Sequence, residues 1–438
     1  MDELALVNKV INEIERVKYL SHDPYDILGS RPIVFLRQRR SSALTAITSK
    51  TPSRKQQIAR KFIAPVYQSS TFMSLYRALV GIPPSQHPKT MGLMLQAYGA
   101  LHRALGLGQY LDRGRLCAEW LITNADQLGF GHYCWGLPWE WPSDVTIPRH
   151  GPQATISTVN GLGLLDLYEI TGDEKYFDVA RSVCEFFLKD LYLDRVRSNA
   201  WAFSYTPYDR THIVNVNFHC AALLARVWKI CRDGDYLATV HNVCNFSIAE
   251  QRPDGAWHYS ARMDGFVNAV DNTHTGDNLE YLAIIREALA PDFPYETEFR
   301  KGIDYYLTHF LSPEGMPYYT DTEAYPAESH SACQMLITLA ALARIDNRAR
   351  LMADRLLSWI MRYLMNRQQN RMYYRLYETG RTDTSYSISW GDAWLAKALA
   401  MLIELDKKYE HSDYQPGIST LERGLHAPDG AQRGSAVE

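Results

Sequence analysis

The 438-residue chain has no CxxC pair: its seven cysteines, Cys117, Cys134, Cys184, Cys220, Cys231, Cys244 and Cys333, are odd in number and dispersed. Such a set reads as reduced core thiols and excludes a disulfide scaffold or a clustered Cys/His zinc site. No GxxxxGK(S/T), strand-linked GxGxxG, GxSxG or HExxH is present, which excludes phosphate-loop, dinucleotide, serine-elbow and zincin chemistry. Neither DDxxD nor DxDD occurs, so terpene ionisation and cyclisation lack their acidic motifs. No metal, cofactor or nucleic-acid partner is expected. No apolar run is long enough to span a bilayer, and MDELALVNKVINEIERVKYL is an amphipathic charged helix without a signal-peptide core. The expected location is cytoplasmic, with peripheral contact to the inner face of the membrane as an addition.

Acid is also missing locally. Between Asp26 and Asp112 there is none, while Arg31, Arg37, Arg39, Arg40, Lys50, Arg54, Lys55, Arg60, Lys61, Arg77, Lys89 and Arg103 supply twelve positive charges in a chain of net charge −3. Residues 29–61 are therefore a candidate contact for an anionic membrane, an acidic glycan or a synthase. Docking on the acidic remainder of the same chain is the alternative.

What the chain has in plenty is apolar helix and aromatic rings. Its hydrophobic content is 46%, and 28 Tyr and 10 Trp suit either sugar-stacking surfaces or core packing. One class of helix is nearly uncharged in its body: KTMGLMLQAYGALHRAL, ATISTVNGLGLLDLYEI, VNVNFHCAALLARVWKI, DNTHTGDNLEYLAII, ESHSACQMLITLAALARI and SISWGDAWLAKALAMLIEL. Amphipathic helices such as EKYFDVARSVCEFFLKDL alternate with them. Helices apolar all round are buried and striped ones lie outside, so the pattern predicts an inner ring wrapped by an outer one. The spacing predicts an all-α fold of six helical hairpins, an (α/α)6 toroid over residues 86–410. A basic helical arm over 1–85 precedes it and a disordered tail over 411–438 follows; an open solenoid is the alternative to ring closure.

Inner-to-outer turns are short, whereas outer-to-inner loops are long and aromatic, as in GFGHYCWGLPWEWPSDVTIPRHGPQ and RPDGAWHYSARMDGF. All long loops then gather at the end where the inner helices begin, and loops on a rigid scaffold carry function. His219, His274 and His330 fall 55 and 56 residues apart at inner-helix starts and converge if the ring closes. Imidazole is suited to proton transfer near neutral pH. Asp209, Asp254, Asp271, Asp277, Glu328 and Asp392 gather at the same rim; two of them could form an acid and base pair for glycoside cleavage, or serve as helix caps. Trp135, Trp139, Trp141, Trp257, Tyr259 and Trp390 are candidate stacking platforms or loop packing. Tyr205 beside a histidine, with Asn215, Asn217, Arg149 or Arg210 to neutralise a carboxylate, would be the set that removes a proton alpha to a uronate carboxyl.

The loop QRPDGAWHYS is similar to the QW-type element of squalene-cyclase-like toroids. DPYDILGS, GIPPSQHPKTMGLML, CWGLPWEWPS, FSYTPYD, VNVNFHCAALLARV and VDNTHTGDNLEYL together resemble a family of toroid proteins encoded with bacterial exopolysaccharide and capsule biosynthesis genes, over residues 20 to 406. The resemblance implies an (α/α)6 scaffold shared with unsaturated glucuronyl hydrolases, uronate epimerases and polysaccharide lyases. Asp277 departs from it, since many relatives carry an aromatic after His-Thr-Gly. The expectation is a carbohydrate-active protein acting on a uronate-containing glycan during surface polysaccharide synthesis, by epimerase or lyase proton abstraction with His274 and Tyr205 as carriers. A hydrolase using two of Asp254, Asp271 and Glu328 is the alternative, as is a non-catalytic adaptor for a glycan or lipid-linked intermediate.

Overall fold

The computed structural model describes residues 2–38, 70–142, 145–264 and 270–410. Most of the basic segment and the expected tail lie outside these residues. Six inner helices, α4 (Pro88–Leu105), α6 (Ala154–Thr171), α8 (Val214–Cys231), α10 (Asn272–Leu289), α12 (Ser329–Leu342) and α14 (Asp392–Glu410), each pack on the next. Because α14 packs back on α4, the ring closes and the fold is an (α/α)6 toroid rather than an open solenoid. The outer helices α5 (Gly108–Thr123), α7 (Glu174–Asp190), α9 (Gly234–Ala249), α11 (Glu296–His309) and α13 (Asn347–Tyr363) wrap it. One contiguous apolar core runs through both layers. Among the described residues, no helix is long and apolar enough to cross a membrane.

The sixth outer position is filled from the other end of the chain. Helix α1 (Glu3–Arg16) buries Leu6, Val7, Val10, Ile11 and Ile14 and packs against α14. Residues 3–16 thus belong to the ring's outer layer, not to an arm ending at 85. Behind it, β1 (Leu20–Ser21) pairs antiparallel with β2 (Ser85–Gln86). Helices α2 (Arg31–Gln38) and α3 (Ser70–Val80) follow the first of these strands and precede the second. The connection is fastened by a buried ion pair, Arg77 to Asp26 at 2.8 Å, and Arg77 also donates to the Asp23 carbonyl at 2.6 Å.

A recurring bond fixes the long loops at one end. The first N–H of an α-helix has no intrahelical acceptor. Here Ala154, Val214, Asn272 and Ser329, each the first residue of an inner helix, donate that N–H to the carbonyls of Tyr205, Tyr259, Tyr319 and Tyr374 at 3.0–3.1 Å. Each tyrosine sits in the long loop that follows the next outer helix, so successive repeats are stitched around the rim. At the opposite end an ionic belt joins inner helices: Arg103 to Glu404 at 3.0 Å, and Arg226 to Asp166 at 2.8 Å.

Candidate functional site at the ring axis

Inner-helix side chains build the site in two layers. Lys89, Asn215 and His330 each stand one residue after their helix begins, and His274 stands two after. One turn deeper, His219, Asp277, Gln334 and Lys397 each stand five residues after the start of α8, α10, α12 and α14. Helical periodicity aims both sets at the same side of each helix.

In the upper layer, Asp271 caps α10 by accepting the His274 N–H at 2.8 Å, and its second oxygen accepts from His274 Nδ1 at 2.8 Å. This fixes the imidazole with Nε2 as its free end. The His274 side chain keeps 37% of its surface accessible although protein surrounds it, so it faces an interior space. Burial works against its protonation, but the Asp271 charge and hydrogen bond outweigh burial and raise its pKa. Tyr259 lies against the ring, with centroids 4.3 Å apart. His330 is the opposite case: burial, then the Lys89 charge, push its pKa down to about 3, and it packs against Trp390 and Trp394 at 4.9 and 4.4 Å. The two imidazoles are thus pushed in opposite directions, His274 toward and His330 away from protonation. Lys89 has no ion-pair partner among the described residues; its ammonium lies 5.3 Å from the Trp394 ring, and burial lowers its pKa against the pull of Asp277 and Asp23.

In the lower layer, Asp277 accepts from Asn215 Nδ2 at 3.0 Å and from His219 Nε2 at 3.4 Å. Burial pushes its carboxyl up, but the His219 hydrogen bond and the positive charge of His274 and Lys89 hold it at about 2. His219 is stacked on Tyr281 at 3.7 Å, and burial lowers its pKa against the pull of Asp277. Lys397 donates to Glu280 at 2.7 Å and Gln334 to the other Glu280 oxygen at 2.8 Å. Several buried polar atoms of these helices have no protein partner, among them Asn215 Oδ1, His219 Nδ1, Asn278 Oδ1, Ser331 Oγ and Gln334 Oε1. Buried polar groups are normally satisfied, so each of these atoms holds unmet bonding capacity within the inner ring.

The structure therefore brings His219, His274, His330, Asp271, Asp277, Asn215, Tyr205, Tyr259 and Trp390 to the ring axis. Tyr205, whose pKa is raised by burial, donates its hydroxyl to Gln153 at 3.2 Å. Trp390 donates to Asp23 at 2.7 Å, and Tyr25 stands between Trp390 and Trp141 at 5.1 and 5.5 Å, so the segment after α1 lies across the rim.

Other candidates are placed elsewhere, each by its bonds. Trp135 and Trp257 are buried and donate Nε1–H to the Leu121 and Ser247 carbonyls of outer helices, which makes them core braces, not platforms. In the QW-like loop, Gln251 ties the Gly255 and Glu298 carbonyls together. Gly255 is required there: at φ +98° a Cβ would stand 2.3 Å from the Lys301 carbonyl. Asp209 is consumed by Thr206 and Thr211, accepting from backbone and hydroxyl of both, and Asn217 by the Phe203 N–H and Ile213 carbonyl. Trp139 is buried against His87. Asp254 bonds Arg252 and Ala256 N in an outer turn, Arg149 is exposed, and Arg210 stacks on Tyr192. Glu328 is paired with Arg375 at 3.0 Å. Asp392 faces outward, accepting the Met372 N–H at 2.8 Å. Of the carboxylates proposed for hydrolysis, Asp254 bonds Arg252 in an outer turn, Glu328 is held by Arg375 and Asp271 by His274.

Lys89, Glu280, Gln334 and Lys397 were not singled out by the sequence. For Gln334 and Lys397 the usable signal was register: a charged or amide residue five positions into an otherwise apolar inner helix.

No family model and no curated protein sequence matches the chain. Its fold is similar to that of cellobiose 2-epimerase from Bacillus thermoamylovorans B4167, with a TM-score of 0.58 and 11% identity over 73% of this chain and 88% of that one. The GH76 α-mannanase BT2949 of Bacteroides thetaiotaomicron aligns at TM-score 0.56 and 13% identity over 74% and 87%. The polysaccharide lyase BACCELL_00875 aligns at 0.52 and 11% over 81% and 99%. At these identities the likeness is one of fold.

Proposed function

We propose that the ring axis is the active site of a carbohydrate-active enzyme that moves a proton at the carbon next to the carboxylate of a uronate sugar. The observation that carries this reading is the Asp271–His274 dyad facing the same enclosed space as Lys89, which has no ion-pair partner among the described residues. Lys89 meets the substrate carboxylate and stabilises the negative charge that develops on it as the adjacent C–H bond breaks. His274 Nε2 takes the proton when neutral, and Asp271 stabilises the imidazolium that forms. Tyr205, whose pKa is raised by burial, gives its hydroxyl proton back to the same carbon in an epimerase, or to the departing glycosidic oxygen as the C–O bond breaks in a lyase. Tyr259 and Trp390 supply stacking faces. The carbohydrate enzymes sharing the fold support a sugar substrate, and the motif resemblance supports a place in surface polysaccharide synthesis. Within this proposal, residues 29–61 provide electrostatic attraction to an anionic surface.

Incubation with uronate oligosaccharides in deuterated water separates the outcomes. Deuterium at C5 marks an epimerase, new absorbance from a double bond marks a lyase, and new reducing ends mark a hydrolase. His274→Ala is expected to lower exchange or elimination by on the order of 10²-fold. New reducing ends unaffected by that substitution would refute the proton-transfer reading, and binding without any of the three traces would leave a glycan-binding adaptor.

A further inference from the structure

The interior of the ring is a dead end. Lys397 of α14 and Glu280 of α10 are two inner helices apart, so their 2.7 Å bond runs across the inside of α12, whose Gln334 joins it. Both charged side chains are at most 5% accessible. Opening this floor would leave an uncompensated buried charge, which folded proteins strongly disfavour. Beneath it the inner helices are packed, with Leu224, Leu282, Leu339 and Leu402 fully buried. From Lys89, one residue into its helix, to Gln334 and Lys397, five into theirs, the floor lies four helical rises down, roughly 6 Å. That depth accommodates one sugar ring. Above, the rim is crossed by the segment that joins Asp23 to Trp390 and Ser389 at 2.7 and 2.9 Å. The Arg77–Asp26 pair locks it in place.

We infer that the site takes the end of a glycan chain, or a free mono- or disaccharide, and not an internal stretch of polymer. A chain has no exit through the floor, and the fastened segment blocks a straight path over the mouth. This inference rests on reading the axis as a sugar site, but it concerns which part of the glycan enters and not what happens to it.

Calorimetric titration of the wild-type full chain tests it without requiring turnover. The probes are uronate oligomers of one to six residues, a matched neutral series, and six-residue chains blocked at both ends by methylation. The expected result is affinity per chain that changes less than about threefold beyond two residues, and at least a tenfold loss on blocking both ends. Affinity that climbs with length and survives blocking overturns the inference. If only the neutral series binds, the uronate reading fails and the length rule is judged on that series; if neither binds, both fall.

Discussion

Asp209, Trp135 and Trp257 in the long loops and a set of polar side chains on the first two turns of the inner helices differ in how their bonds are met. In the loops, Asp209 spends both oxygens on Thr206 and Thr211, and Trp135 and Trp257 each brace an outer helix. On the inner helices, Asn215, His219, Asn278, Ser331 and Gln334 keep buried atoms without a protein partner, and Lys89 lacks an ion pair among the described residues. The two groups have similar chemistry in sequence. A bonded polar residue shapes the scaffold, whereas one whose bonding capacity is left over can meet a ligand only where a space opens beside it.

The largest effect that could break this contrast is at Trp257. Its ring is buried against Phe218 and Gly302, so Trp257→Ala removes a brace and is expected to cost about 3–5 kcal/mol of stability in denaturant unfolding. Sugar affinity of the folded fraction should be unchanged. Unaltered stability with lost sugar affinity would return Trp257 to the binding surface.

The contrast also explains what could be read from the chain beforehand. Ring architecture was legible because uncharged and striped helices alternate at a steady period, and the histidine spacing pointed to one axis. The sixth outer helix was not legible, since α1 lies at the opposite end of the chain from its partner α14. Lys89 was hidden in a stretch where lysine and arginine are common. Asp209, Asp254 and Asp277 could not be told apart, because what separates a loop staple from a site carboxylate is its partners: Thr206 and Thr211, Arg252, or Asn215 and His219.

A smaller effect sharpens the comparison at Lys89. Lys89→Met keeps the stem and removes a buried charge that burial already disfavours, so stability should hold or rise by about 1 kcal/mol. Binding of an acidic sugar should weaken by on the order of 10²-fold, the scale of losing one partner of a desolvated charge pair. Binding of neutral sugars should change little. Equal losses for both would mean that Lys89 does not read a carboxylate.

The smallest effect is a slope, and it concerns a residue with an orphaned oxygen that lies away from the axis. Asp392 is fully buried with Oδ2 unpartnered, yet it faces Met372 and Tyr386 behind the ring wall. Burial, opposed by the Met372 N–H, raises its carboxyl from 3.8 to about 7. A proton bound by the folded state but not by the unfolded one stabilises the fold at low pH, so this contribution shrinks as pH climbs from about 4 to 7. Asp23, raised to about 6, and His274, also raised, act in the same direction, whereas Asp277, held at about 2, loses its contribution only below pH 4. Asp392→Asn keeps an acceptor for the Met372 N–H and cannot ionise, so its Tm relative to wild type should rise steadily between pH 4.5 and 7.5. A constant difference across that range would mean that Asp392 is ionised throughout, which would make its orphaned oxygen a site for a donor from outside the chain rather than a proton held within it.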